Sequence, residues 1–267
     1  MGRSGRNFAI VFSLLWPAGY ALADLSSGST PPVYTAASIV GAASQVNGTI
    51  APNSIVTVYG ANLSWNTSAV TSADLEGRDL PESLGGVTVY VNHLASGIFY
   101  VSPSQVNFIV PYNTVGSTAT IYLVRDGASG PHVTLPMATA APGLFEWNGN
   151  FALAQHADGS LITEAAPAHS GEIVVLYATG LGRTSPDLFP GSYSDHAAVI
   201  LYLAQLQVRL NGVACAAADI YYAGVTPGFA GLYQINLRLP AELQSNPSIQ
   251  VVMGDQASPA SVQLFAE

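Results

Sequence analysis

Apolar and polar positions alternate with a period of two in short runs along most of this chain, as in Val87-Thr88-Val89-Tyr90-Val91 and Leu206-Gln207-Val208-Arg209-Leu210. That period puts successive side chains on opposite faces of a strand. Further runs occupy 55–59, 97–101, 105–110 and 118–124, and then 172–177, 220–222, 231–240 and 249–253. Turn signals separate them: Asn92-His93, Arg125-Asp126-Gly127, Asp158-Gly159 and Asn211-Gly212. With no helical period between the runs, the pattern predicts an all-β protein of sandwich type.

The runs also repeat. Gly231-Leu232-Tyr233-Gln234-Ile235-Asn236-Leu237-Arg238-Leu239-Pro240 echoes Ser102-Pro103-Ser104-Gln105-Val106-Asn107-Phe108-Ile109-Val110-Pro111, and 173–181 echoes 55–63. The offset is 177 − 59 = 118 between the tyrosines Tyr59 and Tyr177, and 234 − 105 = 129 between the glutamines. The second copy therefore carries an insertion, most visibly the glycine-rich stretch 223–231. The predicted organisation is two tandem β-sandwiches, 33–140 and 141–267, related by this internal repeat. A length of 267 residues suffices for two cores of ordinary size. The joint, about 137–153, is apolar at Leu144, Phe145 and Trp147, which predicts packing rather than free flexing.

Residues 1–23 pair Arg3 and Arg6 with the apolar run 8–16 and end in Ala21-Leu22-Ala23, the pattern of a signal peptide. The run is too short for a membrane span, and Pro17 interrupts it. Residues 24–32 form a flexible Ser/Gly/Pro lead. The expected location is secreted or cell-envelope, with no span left after the signal is removed. The chain has no lysine, and two of its seven arginines leave with the signal. The remainder carries 5 − 16 = −11 charges, a surface that repels nucleic acid and anionic lipid. Cys215 is the only cysteine, so export brings no internal disulfide, and its small-residue surroundings suggest a buried structural thiol. Sequons stand at Asn47, Asn62 and Asn66.

Catalytic signals are weak. No Gly-x-Ser-x-Gly elbow occurs, and His169-Ser170 and Asp195-His196 are only fragments of a hydrolytic arrangement in polar loops. No zinc or EF-hand spacing is present. No cofactor or resident metal is expected, though a loop calcium ion on scattered acids such as Asp187 and Asp195 stays open. Gly180-Leu181-Gly182 reads as a strand-ending turn and not a phosphate loop. Among the aromatics Trp65, Trp147, Tyr193, Tyr202 and Tyr233, half-buried packing is the ordinary role. Trp65 is the candidate ligand contact, because it lies in the long polar loop 62–81, away from an obvious core contact. Gln105 and Asn107, with Gln234 and Asn236, form a structural signature. They are expected to be partly buried and bonded to the backbone of the loops before their strands, with ligand recognition as the alternative.

Several ordered strings carry a family resemblance: Ala141-Pro142-Gly143-Leu144-Phe145, Ala157-Asp158-Gly159-Ser160-Leu161, Gly171 to Gly182, and Tyr222-Ala223-Gly224-Val225-Thr226-Pro227-Gly228 with Gly231 to Pro240. Together they resemble the Solibacter-type C-terminal domain of uncharacterised, secreted acidobacterial proteins. Leu84-Gly85-Gly86-Val87 and Tyr100-Val101-Ser102-Pro103 are similar to what precedes that domain. The resemblance implies IPT/TIG-like immunoglobulin sandwiches and brings no catalytic residue. The chain departs from the pattern at Asn53 and Ser170, where Pro-Gly and Ala-x-Pro-Gly are usual, and at His93, where the turn usually reads Asn-Gly. The resulting expectation is an exported, non-enzymatic structural or protein-interaction module, monomeric or weakly self-associating, whose partner is an unknown protein or cell-surface polymer. The alternative is a glycan-binding module using loop aromatics.

Overall fold

The computed structural model describes residues 30–188 and 191–267; the signal-peptide reading of 1–23 and most of the lead lie outside them. The first strands are β1 (Ile39–Gly41), β2 (Ile55–Tyr59), β3 (Ser68–Ala69), β4 (Ser83–Leu84), β5 (Val87–Val91) and β6 (Leu94–Ala95). They are followed by β7 (Ile98–Val101), β8 (Gln105–Ile109), β9 (Thr118–Arg125), β10 (Ala128–Ser129), β11 (Val133–Pro136) and β12 (Gly143–Leu144). Next come β13 (Glu146–Asn148), β14 (Phe151–Ala152), β15 (Ala154–His156), β16 (Ile173–Thr179), β17 (Thr184–Ser185) and β18 (Ala198–Ile200). The last are β19 (Leu206–Leu210), β20 (Val213–Ala214), β21 (Ile220–Val225), β22 (Tyr233–Arg238), β23 (Ile249–Met253) and β24 (Gln256–Ala257). Helix among the described residues is confined to three short 3₁₀ turns.

The fold is all-β, built from antiparallel sheets packed face to face as immunoglobulin-like sandwiches. In the first half, β1-β2-β8-β7-β3 faces β10-β9-β5-β4, with β11 beside β9 and β6 beside β5. Later in the chain, β12-β16-β22-β21-β18-β17, with β15 beside β16, faces β20-β19-β23-β24. The order of β1-β2-β8-β7 matches that of β12-β16-β22-β21. The match extends to register: Tyr59 lies opposite Gln105 and Thr57 opposite Asn107, as Tyr177 lies opposite Gln234 and Val175 opposite Asn236. Both β7 and β21 bulge where they pass this strand, which places Tyr100 opposite Asn107 and Tyr222 opposite Asn236.

The period-two pattern explains the cores. Val87, Val89 and Val91, with Ile121 and Leu123 beside them in the same sheet, face inward onto Val106 and Phe108. Val174, Leu176, Ile235 and Leu237 face Val208, Leu210, Val251 and Met253. One apolar cluster runs from Tyr34 to Leu135 and the other from Ala140 to Ala266. Phe108 is fully buried, so truncating it to Ala costs about 3–5 kcal/mol through lost transfer energy and an unfilled cavity.

Three turn residues other than glycine hold left-handed geometry. Asn53 sits at φ 63°, and Asn92 and His93 at φ 48° and 70°, conformations that asparagine tolerates through its short polar side chain. Two expectations are corrected. Strand β21 continues through Val225 instead of yielding to a loop at 223, because Gly224 lets β18 come close: a Cβ there would stand 2.3 Å from the Ala198 carbonyl oxygen. Trp147 is exposed on β13 and does not pack at the joint, where Leu144 is buried and Phe145 partly so.

The two halves meet along a hydrogen-bonded seam. The Ile55 N–H donates to Thr179 Oγ1 at 3.0 Å, and Thr179 Oγ1 donates to the Gly231 carbonyl at 2.9 Å. The long loop 62–81 does not float: Leu80 N–H donates to Gly191 O, and Tyr193 N–H to Arg78 O. Leu80, Ile109 and Ala230 are buried together there, with Phe99 and Tyr193 packed around them.

Candidate functional site

The amide signature forms the same ladder twice. On β8, Gln105 Nε2 donates to Asn107 Oδ1 at 2.9 Å, and Thr57 Oγ1 donates to the same oxygen at 3.0 Å. On β22, Gln234 Nε2 donates to Asn236 Oδ1 at 3.1 Å. All four amides are half-buried, but their side chains bond one another along the strand and not the backbone of the preceding loops. Residues two apart on a strand share a face and lie within about 7 Å, close enough for Gln to reach Asn. A tyrosine stands beside each ladder and donates to a further glutamine: Tyr59 to Gln45 at 3.1 Å, and Tyr177 to Gln155 at 2.6 Å. Burial pushes both tyrosine hydroxyls above their ordinary pKa. Apolar side chains border these faces. Leu153, Tyr177 and Leu232 are buried together with Phe145, Leu161 and Phe229 around them, while Ile109 sits in the seam cluster. The ladders lie on the sheet faces turned away from the two cores.

Trp65 is arranged differently. The residue is 53% exposed, yet its ring is held at two points. The guanidinium carbon of Arg125 lies 3.8 Å from the ring centroid, and indole Nε1 donates to Asp126 Oδ2 at 2.6 Å. Arg125 is itself 2% exposed and is anchored by donation to the Asn62 and Thr30 carbonyls at 2.6 and 2.5 Å. Asp126 and Gly127 form the β9–β10 turn at φ 46° and 82°, so a hairpin tip and a loop 60 residues away in sequence fix one aromatic ring. The other aromatics sort by burial. Tyr233 is fully buried with its hydroxyl on the Gly182 carbonyl, and Tyr193 packs in the seam, while Trp147 and Tyr202 are exposed.

A cleft of about 360 Å³ opens between the halves. Its walls include Asn47, Thr49, Ser54, Thr179, Gln256 and Ser258, with no charged or aromatic side chain among its lining residues. Thr179 and Ser258 are already committed, the latter accepting the Val251 N–H at 2.9 Å.

The residues weighed as hydrolytic fragments do not assemble into one. His196 Nδ1 pairs with Asp195 at 2.6 Å, Asp195 also pairs with Arg78 across the seam, and Ser194 donates to the His196 carbonyl and not to its ring. These two partners hold the Asp195 carboxyl down to about 2. Asp187 is taken by Arg183. Sequence reasoning missed His156, whose Nδ1 meets Glu172 Oε1 at 2.5 Å and whose Nε2 meets the Ala166 carbonyl at 3.2 Å. Partial burial opposes its charge, but the Glu172 and Ala166 bonds outweigh that and raise its pKa. Both ring nitrogens face oxygen acceptors, an arrangement that favours the protonated ring, in which both donate. Glu172 Oε2 accepts the His169 N–H at 2.9 Å, so the cluster ties β15 to the loop before β16. Cys215 packs partly buried against the second core, and burial raises its thiol pKa, away from reactivity. Among the described residues, no group of three or more His, Cys, Asp or Glu is placed to hold a metal ion.

No family model matches the sequence, and no curated protein matches it. Solved structures do align with it. A surface glycan-binding protein from Prevotella bryantii is 14% identical with a TM-score of 0.28, the match covering 90% of this chain and 43% of that one. The mixed-linkage glucan utilization locus protein SGBP-B of Bacteroides ovatus, solved with a mixed-linkage heptasaccharide, is 10% identical with a TM-score of 0.30, over 82% and 42%. Domains 5–6 of the S-layer protein SbsC are 11% identical with a TM-score of 0.25, over 88% and 98%. This chain thus spans less than half the length of the first two. Likeness at this level carries no argument about function, and the architecture rests on the strand pairing described above.

Proposed function

We propose that this chain is an exported, non-catalytic surface module: two copies of one sandwich locked into a rigid pair that presents loop tips to another protein or a cell-surface polymer. The seam carries this reading. Thr179 bonds Ile55 and Gly231 together, the 78–80 and 191–193 segments pair through their backbones, and apolar side chains fill the space between. A joint of that kind fixes the spacing and orientation of the exposed tips, which suits recognition of an extended or fixed partner by preorganisation. The histidines support the non-catalytic part, because the His156 and His196 rings are engaged by carboxylates and, among the described residues, no serine hydroxyl bonds to either ring. The signal-peptide pattern of residues 1–23 supports export. No helix among the described residues is long and apolar enough to cross a membrane.

The test is cross-linking of the purified protein on intact cells of its source, with the linked sites mapped by mass spectrometry. A recurrent partner linked through one set of loop tips is expected. Turnover of ester, peptide or glycoside substrates that disappears in His156→Gln or His196→Gln would refute the non-catalytic reading.

A further inference from the structure

We infer that Trp65 and Asp126 form a saccharide subsite that stacks one neutral sugar ring; the inference rests on the surface-module reading above. The back face of the indole lies on the Arg125 guanidinium at 3.8 Å, and its N–H edge is pinned to Asp126 at 2.6 Å. With one face covered and 53% of the residue still exposed, the solvent-facing area belongs to the opposite face. An exposed aromatic ring that spends its N–H and a buried arginine on being held still has little left to lose when a ligand covers it. A pure packing role would bury the ring, and a pure solubility role would not immobilise it.

The chemistry of the surroundings selects the ligand. The ring already donates its electron-rich face to one cation, so a second cation on the other face gains less. The C–H face of a pyranose needs only an apolar, flat surface. At the ring edge, Asp126 is exposed and uses Oδ2 for the indole, while a carboxylate oxygen accepts hydroxyl donors strongly. The chain's net charge of −9, with that carboxylate at the site, repels uronate or sulfated polymers. An aromatic face beside an acidic acceptor therefore fits binding of a neutral glycan.

Affinity electrophoresis of the protein in native gels containing hydroxyethylcellulose, galactomannan or dextran, with polygalacturonate as the anionic control, tests this directly. Retardation by at least one neutral polymer and not by polygalacturonate is expected. Trp65→Ala should weaken retardation about tenfold or more, near 1.4 kcal/mol, and Asp126→Ala should weaken it too. Because Trp65→Ala uncovers Arg125, Trp65→Phe serves as the folded control. It should keep partial retardation at an unchanged melting temperature. Binding retained in both Trp65→Ala and Asp126→Ala, a preference for polygalacturonate, or no retardation by any neutral polymer each overturns the subsite. The cell cross-linking experiment judges the broader module reading separately, since a protein partner there stands whether or not a polymer binds.

Discussion

Ile55 and Thr179, 124 residues apart, share one hydrogen bond in which the Ile55 N–H donates to the Thr179 hydroxyl at 3.0 Å. Thr179 is 2% exposed, and its hydroxyl in turn donates a hydrogen bond to the Gly231 carbonyl. A half-buried N–H and a buried carbonyl thus depend on a single oxygen. Thr179→Val keeps the shape and removes that oxygen, which leaves both groups unsatisfied and costs about 1–3 kcal/mol. The urea midpoint should fall accordingly, while Thr179→Ser should retain most of it. An unchanged midpoint in Thr179→Val would show that the seam does not depend on this bond.

Gly143 lies where the two halves touch. A Cβ there would stand 2.9 Å from the Ser44 backbone nitrogen and 3.1 Å from its Cβ, and backbone cannot yield as a long side chain can. Gly143→Ala should lower the melting temperature and loosen the seam, seen as faster amide exchange at Ile55. The same exchange rate in variant and parent would argue that the halves are not locked here.

The two amide ladders differ in one bond, since Asn107 Oδ1 accepts from both Thr57 and Gln105 while Asn236 Oδ1 accepts from Gln234. Thr57 is 1% exposed, so Asn107→Ala strands a buried hydroxyl as well as an amide. It should cost about 1 kcal/mol more than Asn236→Ala. Equal denaturation midpoints for the two variants would contradict the assignment.

His156 should make stability depend on pH near neutrality. Its folded pKa is raised above the ordinary histidine value by Glu172 and Ala166 against the opposing effect of burial. The stabilisation is therefore complete below about 6.5, and it is lost as pH rises through the folded pKa. Melting temperatures measured from pH 5.5 to 8.5 should decline over that upper window in the parent and stay flatter in His156→Gln. Parallel curves would remove the ion pair from the stability account.

Much of the fold was legible because it is local. Alternation in Val87–Val91 and Leu206–Leu210 predicted strands at those bounds, and Asn92-His93 and Asn211-Gly212 predicted turns that the backbone makes with left-handed dihedrals. Gln105 and Asn107 were legible as a pair on one face for the same reason, since a period of two is a property of the strand. Their partners were not: Thr57 comes from another strand, and the matching tyrosines reach Gln45 and Gln155 in segments with no comparable motif. Trp65 was singled out by its place in a polar loop, but nothing in the sequence coupled it to Arg125 and Asp126 more than 55 residues later.

The sequence by itself determined the class of structure, since side-chain alternation and backbone sterics act over a few residues and need no distant partner. It also determined the acidic character and the absence of paired cysteines. Tertiary structure alone decided that loop 62–81 meets residues 191–193, that Thr179 bridges the halves, that His156 is saturated by Glu172 and Ala166, and that one exposed indole is held flat on a buried arginine. Each of these depends on which surfaces dock. Docking is set by shape and the pairing of leftover polar groups across more than ten residues up to more than a hundred, for which a linear pattern carries no signal.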